Sequence, residues 1–259
     1  MKNMPKYRII TRQGGVSLVE LMVGLAVGLI VIAAIMATYI AIVRSSTEIL
    51  GSSRLNENIR GAMDFMVRDI RRAGSGSLGS TATSSPFMVE NDTNIQIGDS
   101  GKCILFAYDK TYLEANQATV VDDADRTGYR QMCGAVAIKA SPDASCGNVS
   151  CPCPPENSEA DWECLTDNNM VNVSSLSFDA SDSQCFNVTQ NTLVSGLCSC
   201  GAAWPSGKKP KQGDRLLEKR LINVAISGNL IARTEFTMSL EEPILVANDR
   251  IISIAADCP

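Results

Sequence analysis

Residues 16–43 read VSLVELMVGLAVGLIVIAAIMATYIAIV, and Glu20 is the only charged side chain in this stretch of 28 residues. A helix of that length extends about 42 Å, because each helical residue adds about 1.5 Å. The hydrocarbon core of a bilayer is only about 30 Å thick. A water-soluble domain has no use for so long an apolar run, so the sequence predicts a helix that spans a membrane.

The residues before this helix are basic and end in two glycines. Residues 1–15 contain no acidic side chain, and their cations are Lys2, Lys6, Arg8 and Arg12. Glu20 follows five residues after Gly15. A charge at the centre of a membrane helix costs about 2.5–3.5 kcal/mol, but near the helix end the side chain reaches the headgroups. One interpretation is therefore a signal anchor whose Glu20 extends to the membrane interface.

Residues 15–22, GVSLVELM, resemble the cleavage and methylation signal of type IV prepilins and the related pseudopilins. That signal combines a basic leader, a glycine, a hydrophobic first mature residue, a glutamate four residues later and a long apolar helix; Val16 and Ser17 replace the usual Phe and Thr. The resemblance implies that prepilin peptidase cuts between Gly15 and Val16 on the cytoplasmic side and N-methylates Val16. It also implies that Glu20 pairs with the amino terminus of Val16 in a neighbouring subunit, which fixes the axial register of packed helices.

Two glycines in the apolar helix are candidates for helix packing. Gly24 and Gly28 lie about one helical turn apart, and small residues at this spacing let two helices approach closely. Glycine is also frequent in membrane helices in general. Both interpretations of the pair are open at this point.

After Val43 an amphipathic pattern predicts that the same helix continues. Apolar residues recur at steps of three or four, the helical period: Leu55, Ile59, Ala62, Met63, Met66, Ile70 and Ala73. Arg71 and Arg72 suit a helix C-terminus, and Gly74 suits a left-handed stop. Residues 65–74, FMVRDIRRAG, also resemble the helix end of the PilW family of minor pilins.

These patterns divide the chain into five predicted segments. A prepilin leader peptide occupies 1–15, a transmembrane or filament-core helix occupies 16–43, and the amphipathic half of the same helix occupies 44–73. A flexible connection rich in Gly, Ser and Thr follows at 74–85. Residues 86–259 are expected to form a disulfide-rich globular domain with a high β content.

Beyond residue 86 the helical period disappears and short runs favour β-strands. Strands are predicted at 103–108, 135–139, 170–178, 221–226, 235–240 and 244–254. The last two are expected to pair as a hairpin, whose segment 246–249 resembles the closing hairpin of PilW-type proteins. Residues 141–161 and 181–213 are rich in Cys, Pro, Ser, Asn and Gly and are predicted to be long loops held by disulfides. The fold class is α+β, with the long helix packed on an antiparallel sheet.

All ten cysteines follow the apolar helix: Cys103, Cys133, Cys146, Cys151, Cys153, Cys164, Cys185, Cys198, Cys200 and Cys258. The basic leader places the amino terminus in the cytoplasm, so the cysteines face an oxidising compartment where disulfides persist. An even count allows five bridges, and the spacing does not fix their pairing. A zinc site is the alternative. Cys151 and Cys153, and Cys198 and Cys200, are separated by one residue, whereas structural zinc sites have spacers of two to four.

Composition excludes several classes of function. The chain contains no histidine, which removes catalytic triads and every histidine-ligated metal site. After residue 43 there are 19 Lys and Arg against 27 Asp and Glu. Nucleic-acid binding needs cationic side chains, so no nucleic acid is expected as a partner. We expect no enzymatic activity and no cofactor.

One weak cation candidate has the spacing of a calcium loop. Asp123, Asp125 and Thr127 place oxygen atoms at alternate positions before Gly128. The twelfth position is Gly134 instead of a bidentate Glu, so the pattern is incomplete. A solvated polar turn is the simpler interpretation.

The resemblance implies a minor pilin involved in type IV pilus assembly or initiation, and in cell adhesion. It implies insertion in the inner membrane by a single pass, with the amino terminus in the cytoplasm, followed by incorporation into the pilus at the cell surface. Partners would be prepilin peptidase, and other major and minor pilins through the N-terminal helix. Two alternatives remain open: a minor pseudopilin of a type II secretion system, and a signal-anchored periplasmic binding or redox protein.

Overall fold

One helix, α1, extends from Leu18 to Arg72 and confirms the long helix that the sequence predicts. The computed structural model describes residues 15–76, 87, 94–110, 121, 123–139, 145–146 and 162–258. The helix ends where expected, because Gly74 adopts a left-handed φ of 78° that favours glycine. The amide of Gly74 then donates to the carbonyl of Ala107 at 2.8 Å, so the chain leaves the helix directly onto a strand.

The chain divides into two compact units, residues 1–50 and 51–259. In the first unit, every described residue from 15 to 50 is exposed except Gly28, which is partly buried. This part of α1 includes a window of mean hydropathy 2.7, long and apolar enough to cross a membrane. Because exposed apolar surface is unfavourable in water, this half of the helix requires lipid or other helices around it.

In the second unit, one stripe of α1 is buried in the main core. The stripe follows the predicted helical period and consists of Leu55, Ile59, Ala62, Met63, Met66, Val67 and Ile70. It packs against alternate residues of the strands, among them Ile104, Tyr129, Leu176, Ile222 and Ile226. The amphipathic half of the helix therefore acts as the central element of the globular unit.

The strands within the described residues form three antiparallel sheets, which confirms the α+β class. A five-stranded meander has the order β1 to β5: Gln96–Gly98, Cys103–Ala107, Arg126–Met132, Ala135–Lys139 and Trp162–Cys164. A second sheet has the order β11-β10-β6, with β6 at Val171–Asp179, β10 at Leu221–Leu230 and β11 at Thr237–Leu245. The third has the order β12-β9-β7-β8, with β7 at Gln184–Asn187, β8 at Thr192–Ser195, β9 at Arg215–Lys219 and β12 at Arg250–Ser253.

The prediction of a loop at 181–213 is wrong, because β7 and β8 lie within it and pair as a hairpin. Polar residues occupy some of the inward positions of these strands, so the sequence does not show the alternation of apolar and polar residues that indicates a strand. Cys185 and Asn187 point inward and are fully buried, although neither is a typical strand residue. The other predicted loop, 141–161, lies outside the described residues apart from 145 and 146.

The predicted hairpin of 235–240 and 244–254 is also wrong. Residues 237–245 form the single strand β11, and residues 246–249 connect it to β12, which belongs to a different sheet. The sequence Glu-Glu-Pro inside this segment suggests a break. Pro243 is tolerated because β11 lies at the edge of its sheet, where one side of the backbone needs no hydrogen-bond partner.

Three disulfides confirm the disulfide-rich character of the domain: Cys103–Cys146, Cys185–Cys198 and Cys200–Cys258. Cys133 and Cys164 are disulfide-bonded as well. Cys151 and Cys153 lie outside the described residues. No cysteine in the part of the chain that the structure describes is free.

Candidate functional site

The amino-terminal turn of α1 holds the residues that the sequence predicts to be processed and to guide assembly. Leu18 is the first helical residue, and Glu20 lies in the first turn. The amide of Leu21 donates to the carbonyl of Ser17 at 3.1 Å, which closes that turn. Val16 is 69% exposed, and Gly15 and Glu20 are exposed too. The predicted cleavage junction between Gly15 and Val16 therefore lies just before the helix.

Glu20 has two chemical roles available at this position. Ser17 and Glu20 have the spacing of a capping box, in which the glutamate accepts a hydrogen bond from an amide at the helix start. A negative charge in the first turn also interacts favourably with the helix dipole. The same exposed carboxylate can bind a cation on another molecule. A neutral glutamine retains the first role and loses the charge.

Gly24 and Gly28 leave open space on the exposed half of the helix. A Cβ atom added at either glycine would meet no heavy atom within 4 Å. Neither glycine is therefore required by packing within the described chain. Their role in helix packing stays a prediction that only a second helix can satisfy.

Asp69 joins the helix to the five-stranded sheet, a contact that the apolar pattern of the sequence does not predict. Tyr129 donates its hydroxyl proton to Oδ2 of Asp69 at 2.6 Å, and Tyr108 donates to Oδ1 at 3.0 Å. The pKa of Tyr108 is raised to about 12. Burial is the main cause, and the negative charge of Asp69 is the second. The pKa of Tyr129 is raised still further. Burial is the main cause, and the hydrogen bond to Asp69 is the second. The available signal was the position of Asp69 three residues after Met66, within the apolar stripe.

Arg220 caps the other end of the helix from inside the protein. Its side chain is almost fully buried, and Nη2 donates to the carbonyls of Ala73 at 3.3 Å and Asn248 at 2.7 Å. A cation at this end complements the helix dipole. Burial lowers the pKa of Arg220 to about 10, while the carboxylate of Glu218 opposes this shift and the guanidinium of Arg250 adds to it. The arrangement serves stability and holds the helix end in place.

The weak calcium candidate is only partly described. Oδ1 of Asp125 accepts a hydrogen bond from the amide of Lys110 at 3.0 Å. Thr127 is buried in β3, and the side chain of Asp123 lies outside the description. No group of three potential metal ligands occurs among the described residues. The calcium site stays a prediction, and isothermal titration with millimolar calcium tests it.

These features fit two family models. The model of Prepilin peptidase-dependent protein B matches residues 48–246, which is most of the chain. The chain belongs to the prepilin peptidase-dependent protein B family. The model of the prokaryotic N-terminal methylation motif matches residues 10–36. No curated protein and no solved structure matches this chain.

Membership of the prepilin peptidase-dependent protein B family confirms the prediction of a type IV pilin-like protein. The methylation motif covers the predicted cleavage junction at Gly15 and Val16, Glu20 and the first part of the exposed apolar helix, up to residue 36. The family match covers the amphipathic half of the helix and the strands up to Val246. The chain is therefore a prepilin-processed protein of the pilin or pseudopilin type. Families of this type are structural subunits.

Proposed function

We propose that this protein is a minor pilin that acts in type IV pilus assembly or initiation. The observation that carries the proposal is the exposed apolar half of α1, which directly follows a methylation motif. Such a helix is stable in the inner membrane before assembly, and among other apolar helices in a filament afterwards. The disulfide-bonded domain would then lie outside the membrane, at the cell surface in the assembled pilus.

The proposed sequence of events starts with prepilin peptidase. It removes residues 1–15 and leaves Val16 as a methylated, positively charged amino terminus. The transmembrane and filament-core segment is then formed by residues 16–43, and the amphipathic half of the helix, residues 44–73, supports the domain. A flexible connection at 74–85 leads to the external domain, residues 86–259. Incorporation brings the helix against those of other major and minor pilins.

In this scheme, Glu20 accepts the amino terminus of Val16 of the neighbouring subunit. Between apolar helices, an unpaired charge is strongly penalised. A subunit that enters at the wrong height would leave both charges unpaired, so the pair selects one axial register. Glu20 is the only charged residue in the apolar run, so no other side chain there can substitute.

Two substitutions separate the pairing role of Glu20 from its capping role. Glu20→Gln can still accept a capping hydrogen bond but lacks the charge, whereas Glu20→Ala can supply neither. We expect both variants to enter the membrane normally and both to be lost from sheared filaments, as measured by immunoblot. If Glu20→Gln assembled like the wild type, the intersubunit pair would be refuted and capping would be the sufficient role.

Mass spectrometry of protein taken from cells tests the processing step. The mature chain should begin at Val16 and carry one additional methyl group, about 14 Da. An unprocessed chain that begins at Met1 would contradict the proposal and favour a signal-anchored periplasmic protein. Deletion of the gene should remove surface filaments. Loss of secreted enzymes with intact filaments would identify a minor pseudopilin of a type II secretion system instead.

A further inference from the structure

The four-stranded sheet lies at the end of the domain that is remote from the entry of the helix. Helix α1 enters the second unit at Gly51, where an added Cβ atom would lie 3.0 Å from Leu230 at the end of β10. Strand β10 starts directly after Arg220, which donates to the carbonyl of Ala73 at the other end of the helix. Strand β9 of the four-stranded sheet ends directly before Arg220. This sheet therefore joins the domain where the helix ends.

The outer face of the four-stranded sheet carries a line of apolar side chains. Phe186 of β7 pairs with Leu193 of β8 on one side and with Leu217 of β9 on the other. Leu217 pairs in turn with Ile251 of β12. Paired residues point to the same side of a sheet. The four side chains therefore form a continuous line across all four strands, which we call the apolar row.

The domain buries the inner face of this sheet and leaves the outer face open to solvent. On the inner face, Val194 and Leu216 are buried in a cluster with Trp204. On the outer face, Leu193 is 56% exposed, and Val188, directly after β7, is 54% exposed. Contiguous apolar side chains that stay exposed indicate an interaction surface, whereas scattered single ones do not.

The charged side chains on the face of the apolar row are cations. Arg215 and Lys219 lie two residues before and after Leu217, so strand alternation places both on this face. Both are exposed. The remaining outward positions of the four strands are uncharged and hold Gln184, Ser195 and Ser253. A cation therefore lies on each side of the apolar row, with no carboxylate at an outward position of these strands.

The segment before β9 adds positive charge beside this face. Three more exposed cations occupy it: Lys208, Lys209 and Lys211. The segment lies next to the connection between β7 and β8, since Gln190 donates to the carbonyl of Lys209 at 3.1 Å. Together with the two cations on the face, it gives this end of the domain five exposed cations.

Fewer exposed carboxylates lie near this face. Asp214 and Glu218 are buried, and Glu218 pairs with Arg250. The exposed carboxylates next to the strands are Asp182, which accepts a hydrogen bond from Asn223, and Asp249 and Asp257 on either side of β12. Cations therefore predominate here, although the whole chain has a formal charge of −5.

The combination of an apolar row with cations favours one class of partner. A soluble polyanion binds cations through its phosphate or sulfate groups and would leave the apolar row exposed to water. The surface of a bilayer accepts apolar side chains at the boundary between headgroups and acyl chains, and anionic headgroups attract Lys and Arg at the same depth. Both features of the face are satisfied only by the bilayer.

We infer that the outer face of the four-stranded sheet binds a lipid bilayer that contains anionic phospholipids. The apolar row enters the headgroup boundary, and Arg215, Lys219 and the lysines of 208–211 bind the headgroup phosphates. The inference rests on the proposed function, because an external pilus domain meets other surfaces with the end remote from its anchoring helix. Binding to anionic lipid would then be the contribution of this subunit to cell adhesion.

Vesicle capture tests the inference with the full chain. The protein is reconstituted in immobilised nanodiscs of phosphatidylcholine, and fluorescent vesicles of phosphatidylcholine, with or without phosphatidylglycerol, are added. We expect at least about tenfold more capture of the vesicles that contain phosphatidylglycerol, because each cation near an anionic surface contributes about fivefold. Equal capture of the two kinds of vesicle, or capture of neither, would overturn the inference.

Substitutions on the face separate the two parts of the site. Arg215→Gln/Lys219→Gln should reduce capture about thirtyfold, at about fivefold per cation. Leu193→Ser should reduce it about tenfold, because the row loses most of its burial at that position. Lys102→Gln and Leu245→Ser change an exposed cation and a half-exposed apolar residue elsewhere on the domain. These matched controls should capture vesicles like the wild type.

The pattern of losses decides between partners. If the cation variant lost capture and both Leu193→Ser and Val188→Ser kept it, the face would recognise charge alone, as for a soluble polyanion, and the inference would be wrong. Equal losses in the control variants would also contradict it. Thermal unfolding of each variant should match the wild type, since every changed side chain is exposed.

A photoreactive amino acid at position 193 adds a test in cells that adhere to a surface. It should label phospholipid, and a cross-link to a protein alone would identify a protein partner and overturn the inference. The filament assay of the Glu20 variants does not depend on this face. The proposed function therefore survives a failure of vesicle capture, and its own failure would be seen separately.

Discussion

Asp69 is a charged residue on a buried stripe, and its two tyrosine partners explain how it is accommodated. A carboxylate transferred into an apolar core is costly unless hydrogen bonds replace its contacts with water. Here each carboxylate oxygen accepts one hydrogen bond from a tyrosine hydroxyl. Tyr108 directly follows β2, and Tyr129 lies in the neighbouring strand β3. The network therefore fixes the rotation of the helix about its axis as well as its position.

This network should make the domain sensitive to alkaline pH. The pKa values of Tyr108 and Tyr129 are raised in the folded protein, so the folded state holds protons that the unfolded state releases above pH 10. Their contribution is complete below pH 10 and should be lost as the pH rises toward 12. We expect the free energy of unfolding, measured by denaturant titration in micelles, to fall over this range.

The paired variant Tyr108→Phe/Tyr129→Phe is the control for this effect. Each lost bond to the carboxylate should cost about 2 kcal/mol at neutral pH. The loss of stability between pH 10 and pH 12 should be smaller in the variant than in the wild type. A parallel decline in both proteins would show that other groups cause the alkaline sensitivity.

At the scale of elements, the C-terminal end of α1 is held by hydrogen bonds from distant parts of the chain. The amide of Ala247 donates to the carbonyl of Arg71, and Arg220 donates to that of Ala73. The last carbonyls of a helix have no partner within it. Residues 246–249 and Arg220, which lies between β9 and β10, supply those partners. The connection between β11 and β12 therefore follows the helix end.

Two arginines at this helix end should differ sharply in importance. Arg220→Met removes the donor to the buried carbonyl of Ala73 and to the partly buried carbonyl of Asn248, and should lower the free energy of unfolding by about 3 kcal/mol. Arg71→Ala removes an exposed ion pair with Glu242, and should cost less than about 1 kcal/mol. Denaturant titration of both variants measures the difference. Equal effects would show that the buried capping bonds contribute little.

The apolar half of the same helix allows a separation of folding from assembly. Gly24→Ala/Gly28→Ala adds two methyl groups that meet nothing in the described chain, and alanine favours a helix by about 1 kcal/mol per site. We expect normal or raised helix stability and membrane insertion, but fewer filaments, because the added atoms prevent close helix approach. Gly61→Ala also meets open space in the same helix, and is the matched control outside the apolar segment. Normal filament yield from the double variant would remove the packing role.

At the scale of the molecule, the disulfide Cys200–Cys258 ties the end of the chain to the four-stranded sheet. It closes a separation of 58 residues, against 13 for Cys185–Cys198. The chain-entropy model gives about 4 kcal/mol for the longer loop. Cys200→Ala/Cys258→Ala should lower stability by about that amount. Amide exchange should rise at Ile254 and Cys258, which donate to Asp214 and Pro210, and stay unchanged in β2–β4.

The sequence predicted those parts of the fold whose cause is local. Helix α1 and its stop at Gly74 follow from apolar period and glycine chemistry, and β4 was predicted with its observed bounds. The strands β7 and β8 were missed because buried Cys185 and Asn187 obtain their partners from elsewhere in the fold. Asp69 and Arg220 were missed for the same reason: their partners are 28 to 147 residues away in sequence. The methylation motif, which a family model matches over residues 10–36, needed only local information, whereas the cleavage at Gly15 and the pairing of Glu20 stay predictions.

The disulfides also determine how the domain responds to mechanical tension. A pulled chain lengthens only where residues can extend, at about 3.4 Å each. The bridge from Cys200 to Cys258 spans 58 residues, so it withholds roughly 200 Å of extension. A subunit under load between the cell and a surface would therefore extend little. Its disulfides would limit the extension even after the sheets had unfolded.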